Sequence, residues 1–128
     1  MVADPSKLTA PALVFNNVGA RLGVLGAPIA VNPGNALAMA NALGYMTVVT
    51  KVSTGKTLAS GPGSAILGHP MNAVLWLAKA LKAQGISLKP GDLLSLGAFS
   101  QSPVVAGQSV YVRHDGLPGQ PEVGVSFK

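Results

Sequence analysis

Pro70-Met71-Asn72-Ala73-Val74-Leu75-Trp76-Leu77-Ala78-Lys79-Ala80-Leu81-Lys82-Ala83-Gln84-Gly85 is the clearest helix in the sequence. Pro70 suits a first turn, because the N–H it lacks would find no partner there. Met71, Val74, Leu75, Ala78 and Leu81 recur at helical spacing and predict one apolar stripe. Lys79, Lys82 and Gln84 lie off that stripe, and Gly85 stands where a helix terminates. The pattern predicts a core helix at about residues 70–84, packed on a sheet.

The sheet comes from the segments on either side. Upstream, Tyr45–Val52 is rich in β-branched residues and predicts a strand. Ser53-Thr54-Gly55 turns it into a second strand, Lys56–Ser60, and the two form a hairpin that Gly61-Pro62-Gly63 breaks. Before it, Asn35–Leu43 has high helix propensity, with Gly44 at the C-terminal cap position. Asn32-Pro33-Gly34 is a turn. Residues 13–31 suit a short helical turn followed by extended chain, and residues 1–12 a segment lying along a surface or a partner. Downstream, Lys89–Asp92 is a turn and Leu93–Ala98 a strand apolar on both faces. Pro103–Ala106 is extended. In Ser109–His114, Val110 and Val112 face one way, Tyr111 and Arg113 the other. Asp115–Gly119 is a broad turn, and Glu122–Phe127 the last strand. The fold class is α+β, in one domain over residues 1–128.

The 128 residues suffice for one domain and are too few for two. Charged residues make up 10% of the chain, against about 25% in an ordinary soluble domain. Apolar surface therefore remains once a small core is built, and another subunit is the expected cover: a homo-oligomer, or a complementing chain. No apolar run approaches the roughly 20 residues of a bilayer span. The segment Met1–Lys7 lacks a basic region followed by an apolar core, so no secretory signal is read there. There is no cysteine, hence no disulfide framework or thiolate metal site, and a cytoplasmic location fits. The net charge of +5 comes from nine scattered basic residues against four acids, without a basic face interleaved with aromatics. That pattern argues against a nucleic-acid partner.

Few residues carry chemistry. The acids are Asp4, Asp92, Asp115 and Glu122, and the histidines His69 and His114. Only His114 and Asp115 are near neighbours, and strand alternation aims them to opposite faces, so a surface pair is expected rather than a cation site. Ser53-Thr54-Gly55-Lys56-Thr57 mimics the end of a phosphate loop, but Thr50 stands where glycine is needed and a strand follows. His69, before Pro70, serves either as a helix cap or as a general base, and the cap is preferred. Ser100, Gln101 and Ser102 follow an apolar strand. They form either a solvated turn or a place where hydroxyls and backbone N–H groups meet an anion.

The segment Ser60-Gly61-Pro62-Gly63 through Leu67-Gly68-His69-Pro70-Met71-Asn72-Ala73-Val74-Leu75-Trp76-Leu77-Ala78 resembles the Gly-x-Gly…Leu-Gly-His-Pro-x-Asn-Ala-x-x-Trp-Leu-Ala stretch of 2-keto-4-pentenoate hydratases and 4-oxalocrotonate decarboxylases, members of the fumarylacetoacetate hydrolase superfamily. Lys89-Pro90-Gly91-Asp92-Leu93-Leu94-Ser95-Leu96-Gly97-Ala98-Phe99-Ser100 is similar to their Gly-Asp-x-(apolar)-Ser-Gly-Ser-x-Thr strand and turn. Asn17 with Val24-Leu25-Gly26 resembles an Asp-Asn-Ala-Ser…Val-Leu-Gly stretch. The resemblance covers residues 13–128 and the C-terminal half of the family.

It implies a mixed, bent β-roll, a truncated form of the fumarylacetoacetase C-terminal fold, with one main core helix. It also implies a lyase, hydratase or decarboxylase, acting on short unsaturated 2-keto acids in the breakdown of aromatic compounds. The family uses Mg²⁺ or Mn²⁺, held by a Glu-x-Glu pair and a later Glu. Those carboxylates precede the matching region, and the chain is expected to begin after them, with no metal ligand or cofactor of its own. The serine after the strand glycine is replaced by Ala98, and Ser100 stands where the family often has Thr. The resemblance carries Asn17, Gly97 and Ser100 over as substrate-binding positions and assigns no catalytic residue. Two expectations follow: a short or fragmentary hydratase relative, weak or inactive alone, and a non-catalytic interaction or ligand-binding module on the same scaffold.

Overall fold

Asn32 sets the first helix in place. Its Oδ1 accepts the N–H groups of Gly34 at 2.9 Å and Asn35 at 3.2 Å, and its carbonyl accepts that of Ala36 at 2.9 Å. The expected Asn32-Pro33-Gly34 turn thus leads directly into helix α1, Ala36–Tyr45. In this computed structural model, residues 22–98 and 100–128 are described, together with Thr9 and Pro11. The expectations for the rest of residues 1–21, Asn17 among them, lie outside the described residues.

Helix α1 runs through Gly44, which the sequence placed at its cap. The glycine is required for another reason: the His69 ring occupies the space its Cβ would need. Met46 closes the helix, donating its N–H to the Ala42 carbonyl at 2.7 Å, and its own carbonyl accepts the Gly63 N–H at 2.8 Å. Strands β1 (Thr47–Val52) and β2 (Thr57–Pro62) follow. Their turn needs Gly55 at φ +85°. β2 extends through Gly61 and Pro62, where the sequence suggested a break. Proline is tolerated there because β2 is an edge strand and the missing N–H costs no ladder bond.

β3 (Ser109–Asp115) and β4 (Glu122–Ser126) complete a four-stranded sheet in the order β2-β1-β3-β4. Every pairing is antiparallel, so the expected mixed sheet is not found among the described residues. Short turns join β1 to β2 and β3 to β4, and such hairpins can only produce antiparallel neighbours. The architecture is α+β.

Register gives the sheet two unlike faces. Val48 stands opposite His114, Thr50 opposite Val112 and Val52 opposite Val110, while Val112 and Val110 stand opposite Val123 and Val125. This face is apolar, with Thr50 and His114 as its polar members. The reverse face carries Lys51 opposite Tyr111, and Arg113 opposite Glu122. Among the described residues the buried apolar side chains are few: Met39, Met46, Val48, Val52, Pro70 and Val110.

Helix α2 spans Pro70–Ala83, with Gln84 as its cap and Gly85 at φ +74°. The length agrees with expectation, but the packing does not. Among the helices and strands it packs chiefly on α1. Its half-buried arc is Ala73, Val74, Leu77, Ala78, Ala80 and Leu81. Met71 and Leu75, placed in the core by their spacing, are exposed. Three small alanines let this arc approach closely, and the helix is rotated accordingly.

Leu93–Ala98 is not a strand. Gly97 at φ +116° takes the backbone out of the extended region. Leu94 and Leu96 are half-buried while Leu93 and Ser95 are exposed, so the alternation survives without a ladder. This segment runs beside the apolar sheet face and shapes the clefts there.

Candidate functional site

Two open clefts lie on the apolar face. One, of about 350 Å³, is bounded by Val48, Thr50 and His114 of the sheet, by Pro70 at the start of α2, and by Gly97 and Ser100. The other, of about 610 Å³, lies between Leu93, Leu94 and the β3–β4 valines. They share Gly97, Val112 and His114. The structure therefore brings two of the three sequence-chosen positions, Gly97 and Ser100, to one cleft; Asn17 lies outside the described residues.

Sequence reasoning missed His114. Alternation does separate it from Asp115, but His114 turns to the apolar face and not to a surface pair. The cross-strand partner Val48 was the signal, readable only once the β1–β3 register is known. Thr50 was missed for the same reason, since it stands diagonal to His114 on the neighbouring strand. Among the described residues neither His114 ring nitrogen nor the hydroxyls of Thr50 and Ser100 have a hydrogen-bond partner.

His69, by contrast, is fully committed. Its Nδ1 accepts the Met71 N–H at 3.1 Å, and its Nε2 lies 2.9 Å from the Ala40 carbonyl. An acceptor at Nδ1 and a donor at Nε2 define one neutral tautomer. The ring caps α2 and ties it to α1, and nothing remains for general-base work. Ser53–Thr57 is a hairpin turn, Gly55 donating to the Val52 carbonyl at 2.9 Å, and no helix follows it as a phosphate loop requires.

Asp115 and Asp92 are engaged elsewhere. Asp115 accepts from Arg113 Nε at 2.5 Å and Nη2 at 3.1 Å on the polar face. That hydrogen bond, helped by the charges of Arg113 and Lys51, holds the Asp115 carboxyl below its usual range against a smaller opposing effect of burial. The same bond pushes the Arg113 guanidinium up. Asp92 accepts the Lys89 N–H at 2.7 Å within its turn. Among the described residues no three His, Asp or Glu side chains converge on a point. A divalent cation of the kind the resemblance implies wants several oxygens at about 2.0–2.6 Å. The described side chains do not fit one.

Sequence comparison finds relatives over about half of the chain. A 2-keto-4-pentenoate hydratase of Burkholderia vietnamiensis is 37% identical over 70 residues, 54% of this chain and 27% of that protein. The TodF product hydratase of Pseudomonas putida is 45% identical over 64 residues, 49% of this chain and 24% of that protein. A 4-oxalocrotonate decarboxylase of a Pseudomonas species is 33% identical over 70 residues, 54% of this chain and 26% of that protein. Over about half of its length the chain is similar to these hydratases and decarboxylases. The matches span about a quarter of each hydratase or decarboxylase. No family model matches the chain. The hydratase names agree with the family inferred from the Leu67–Ala78 motif, and no helix among the described residues is long and apolar enough to cross a membrane.

Proposed function

We propose that the chain forms the sheet-and-helix wall of a 2-keto acid pocket of the 2-keto-4-pentenoate hydratase type. On this reading the sheet belongs to a bent β-roll of the fumarylacetoacetate hydrolase type. The observation that carries the reading is the meeting of Gly97 and Ser100 at one cleft beside Thr50 and His114. Among the described residues the cleft has no carboxylate donor set, and on this reading the chain alone is weak or inactive as a lyase. The test is turnover of 2-hydroxypenta-2,4-dienoate by the purified chain with Mg²⁺ or Mn²⁺, followed by loss of the dienol absorbance. Rates at background are expected. Robust metal-dependent turnover by this polypeptide alone would overturn the reading.

A second reading, association with another copy of the chain, is favoured by one observation. Leu75 and Trp76 on the outer side of α2 are 57% and 66% exposed, and Leu67 just before the helix is 64% exposed. Apolar side chains grouped in this way mark an interface more often than open surface. Such a homo-oligomer is compatible with the first reading.

A further inference from the structure

Among the described residues lining the cleft at Gly97, His114 is ionisable and none is an acid. In the adjoining cleft, too, His114 is the one titratable residue among the described lining residues. Its ring has no hydrogen-bond partner among the described residues, and the hydroxyls of Thr50 and Ser100 lining the same cleft have none. All three are half-exposed at the cleft, so these polar groups are free to meet a ligand. All three can donate: an imidazole N–H and two O–H groups. Thr50 is the diagonal neighbour of His114 across β1 and β3, so their side chains stand roughly 7–8 Å apart or less, within reach of one small group.

The remaining lining is hydrocarbon, including Val48, Ile66, Leu96 and Val112. Of the acids nearest in sequence, Asp115 is occupied by Arg113 on the opposite face, and Glu122 lines with His114 a separate, smaller cleft of about 220 Å³ but not this one. A ligand matched to this cleft thus has an acceptor-only head and a short apolar body. A volume of about 350 Å³ lies at the low end of the about 300–1,000 Å³ typical of small-molecule sites. A carboxylate can accept from all three donors at once.

We infer that His114, with Thr50 and Ser100, forms a metal-independent binding site for a short-chain monocarboxylate, His114 anchoring the carboxylate while the sheet valines hold the chain. This uses the cleft of the proposed function but requires neither a keto group nor a cation.

The test uses the full chain with EDTA and three probes: pentanoate, 2-oxopentanoate and pentan-1-ol. The two histidines give two sets of ring signals in NMR, and His69, locked by its two hydrogen bonds, is the internal control. Pentanoate should shift the His114 ring signals saturably and leave those of His69 in place, and pentan-1-ol should not shift them. His114→Leu should weaken pentanoate binding at least tenfold. The inference is overturned by an unmoved His114 ring at millimolar pentanoate, by an equal response to the alcohol, or by a folded Leu variant binding within twofold of the parent. If that variant does not fold, the ring signals of the parent chain decide. Equal binding of pentanoate and 2-oxopentanoate at His114 supports this site while counting against the 2-keto acid reading, so the two fail separately.

Discussion

The ring of His69 lies against Gly44 so closely that a Cβ on Gly44 would stand 2.8 Å from the ring Cδ2. The contact joins two helices that touch at few other places. The ring cannot swing aside cheaply, because it is held at both nitrogens, by Met71 and Ala40. Gly44→Ala therefore sets two effects against each other. Replacing a helix-interior glycine gains about 1 kcal/mol, and forcing a methyl into a filled space costs about 1–3 kcal/mol. A net loss of roughly 1 kcal/mol is expected in urea denaturation.

The sign should reverse when the ring is removed. His69→Ala alone loses the α2 cap, at a cost of about 0.5–2 kcal/mol. Adding Gly44→Ala to that variant should then stabilise it by up to about 1 kcal/mol, because the methyl meets open space. Equal effects of Gly44→Ala in both backgrounds would show that the ring is not what excludes the methyl.

A second glycine separates steric demand from backbone strain. A Cβ on Gly63 would lie 2.0 Å from the Leu43 carbonyl oxygen, which is backbone and cannot rotate away. Gly63→Ala must part the end of α1 from the turn that follows β2 and break the Gly63-to-Met46 hydrogen bond. A loss of about 3 kcal/mol is expected. Gly55→Ala meets nothing within 4 Å and carries only the cost of φ +85°, about 1–2 kcal/mol. Thermal unfolding of the two variants should rank them in that order.

These contacts mark how far the sequence could be read. Helix α2, the β1–β2 hairpin and the alternation of β3 are local patterns, and their periodicity and turn residues state them directly. Cross-element facts were not visible. Gly44 carried the signature of a cap, and only the arrival of His69 from 25 positions further on (69 minus 44) makes it an interior contact residue. Leu93–Ala98 has strand composition but no ladder partner, and composition alone cannot supply one. The apolar spacing of α2 was real, yet five apolar positions do not say which arc faces α1; the alanines decided it. Gly97 and Ser100 were chosen through a family motif, whereas His114 and Thr50 become site residues only through the β1–β3 register.

The Arg113–Asp115 pair predicts an acid limb of stability. The two side chains are about a third exposed, at 35% and 34%, so the pair is screened by solvent and salt. The Asp115 carboxyl is lowered in the folded chain, first by its hydrogen bond from Arg113. A lowered carboxyl contributes stability above its unfolded value, about 3.9, and that contribution disappears as pH falls through the folded value. Urea midpoints measured from pH 7 down to pH 3 should fall less steeply for Asp115→Asn than for the parent. The difference should shrink in 1 M salt, where the screening length is about 3 Å. Parallel pH profiles would show that the pair is indifferent to folding.

The exposed side of α2 predicts association that depends on two side chains. Leu75 and Trp76 are neighbours in sequence and both point outward, while Lys79, one turn on, is also exposed. Hiding a large apolar side chain from water is worth about 1.5–3 kcal/mol, and each 1.4 kcal/mol is tenfold in a dissociation constant. If copies of the chain meet across this surface, Trp76→Lys should weaken their association at least tenfold in sedimentation equilibrium. Thermal stability of the monomer should barely change, because the indole has little contact within its own chain. Leu81→Lys is the contrasting variant: Leu81 is on the half-buried arc toward α1, so its loss should destabilise the monomer. A parent chain that sediments as a clean monomer at high concentration would remove the basis for this interface.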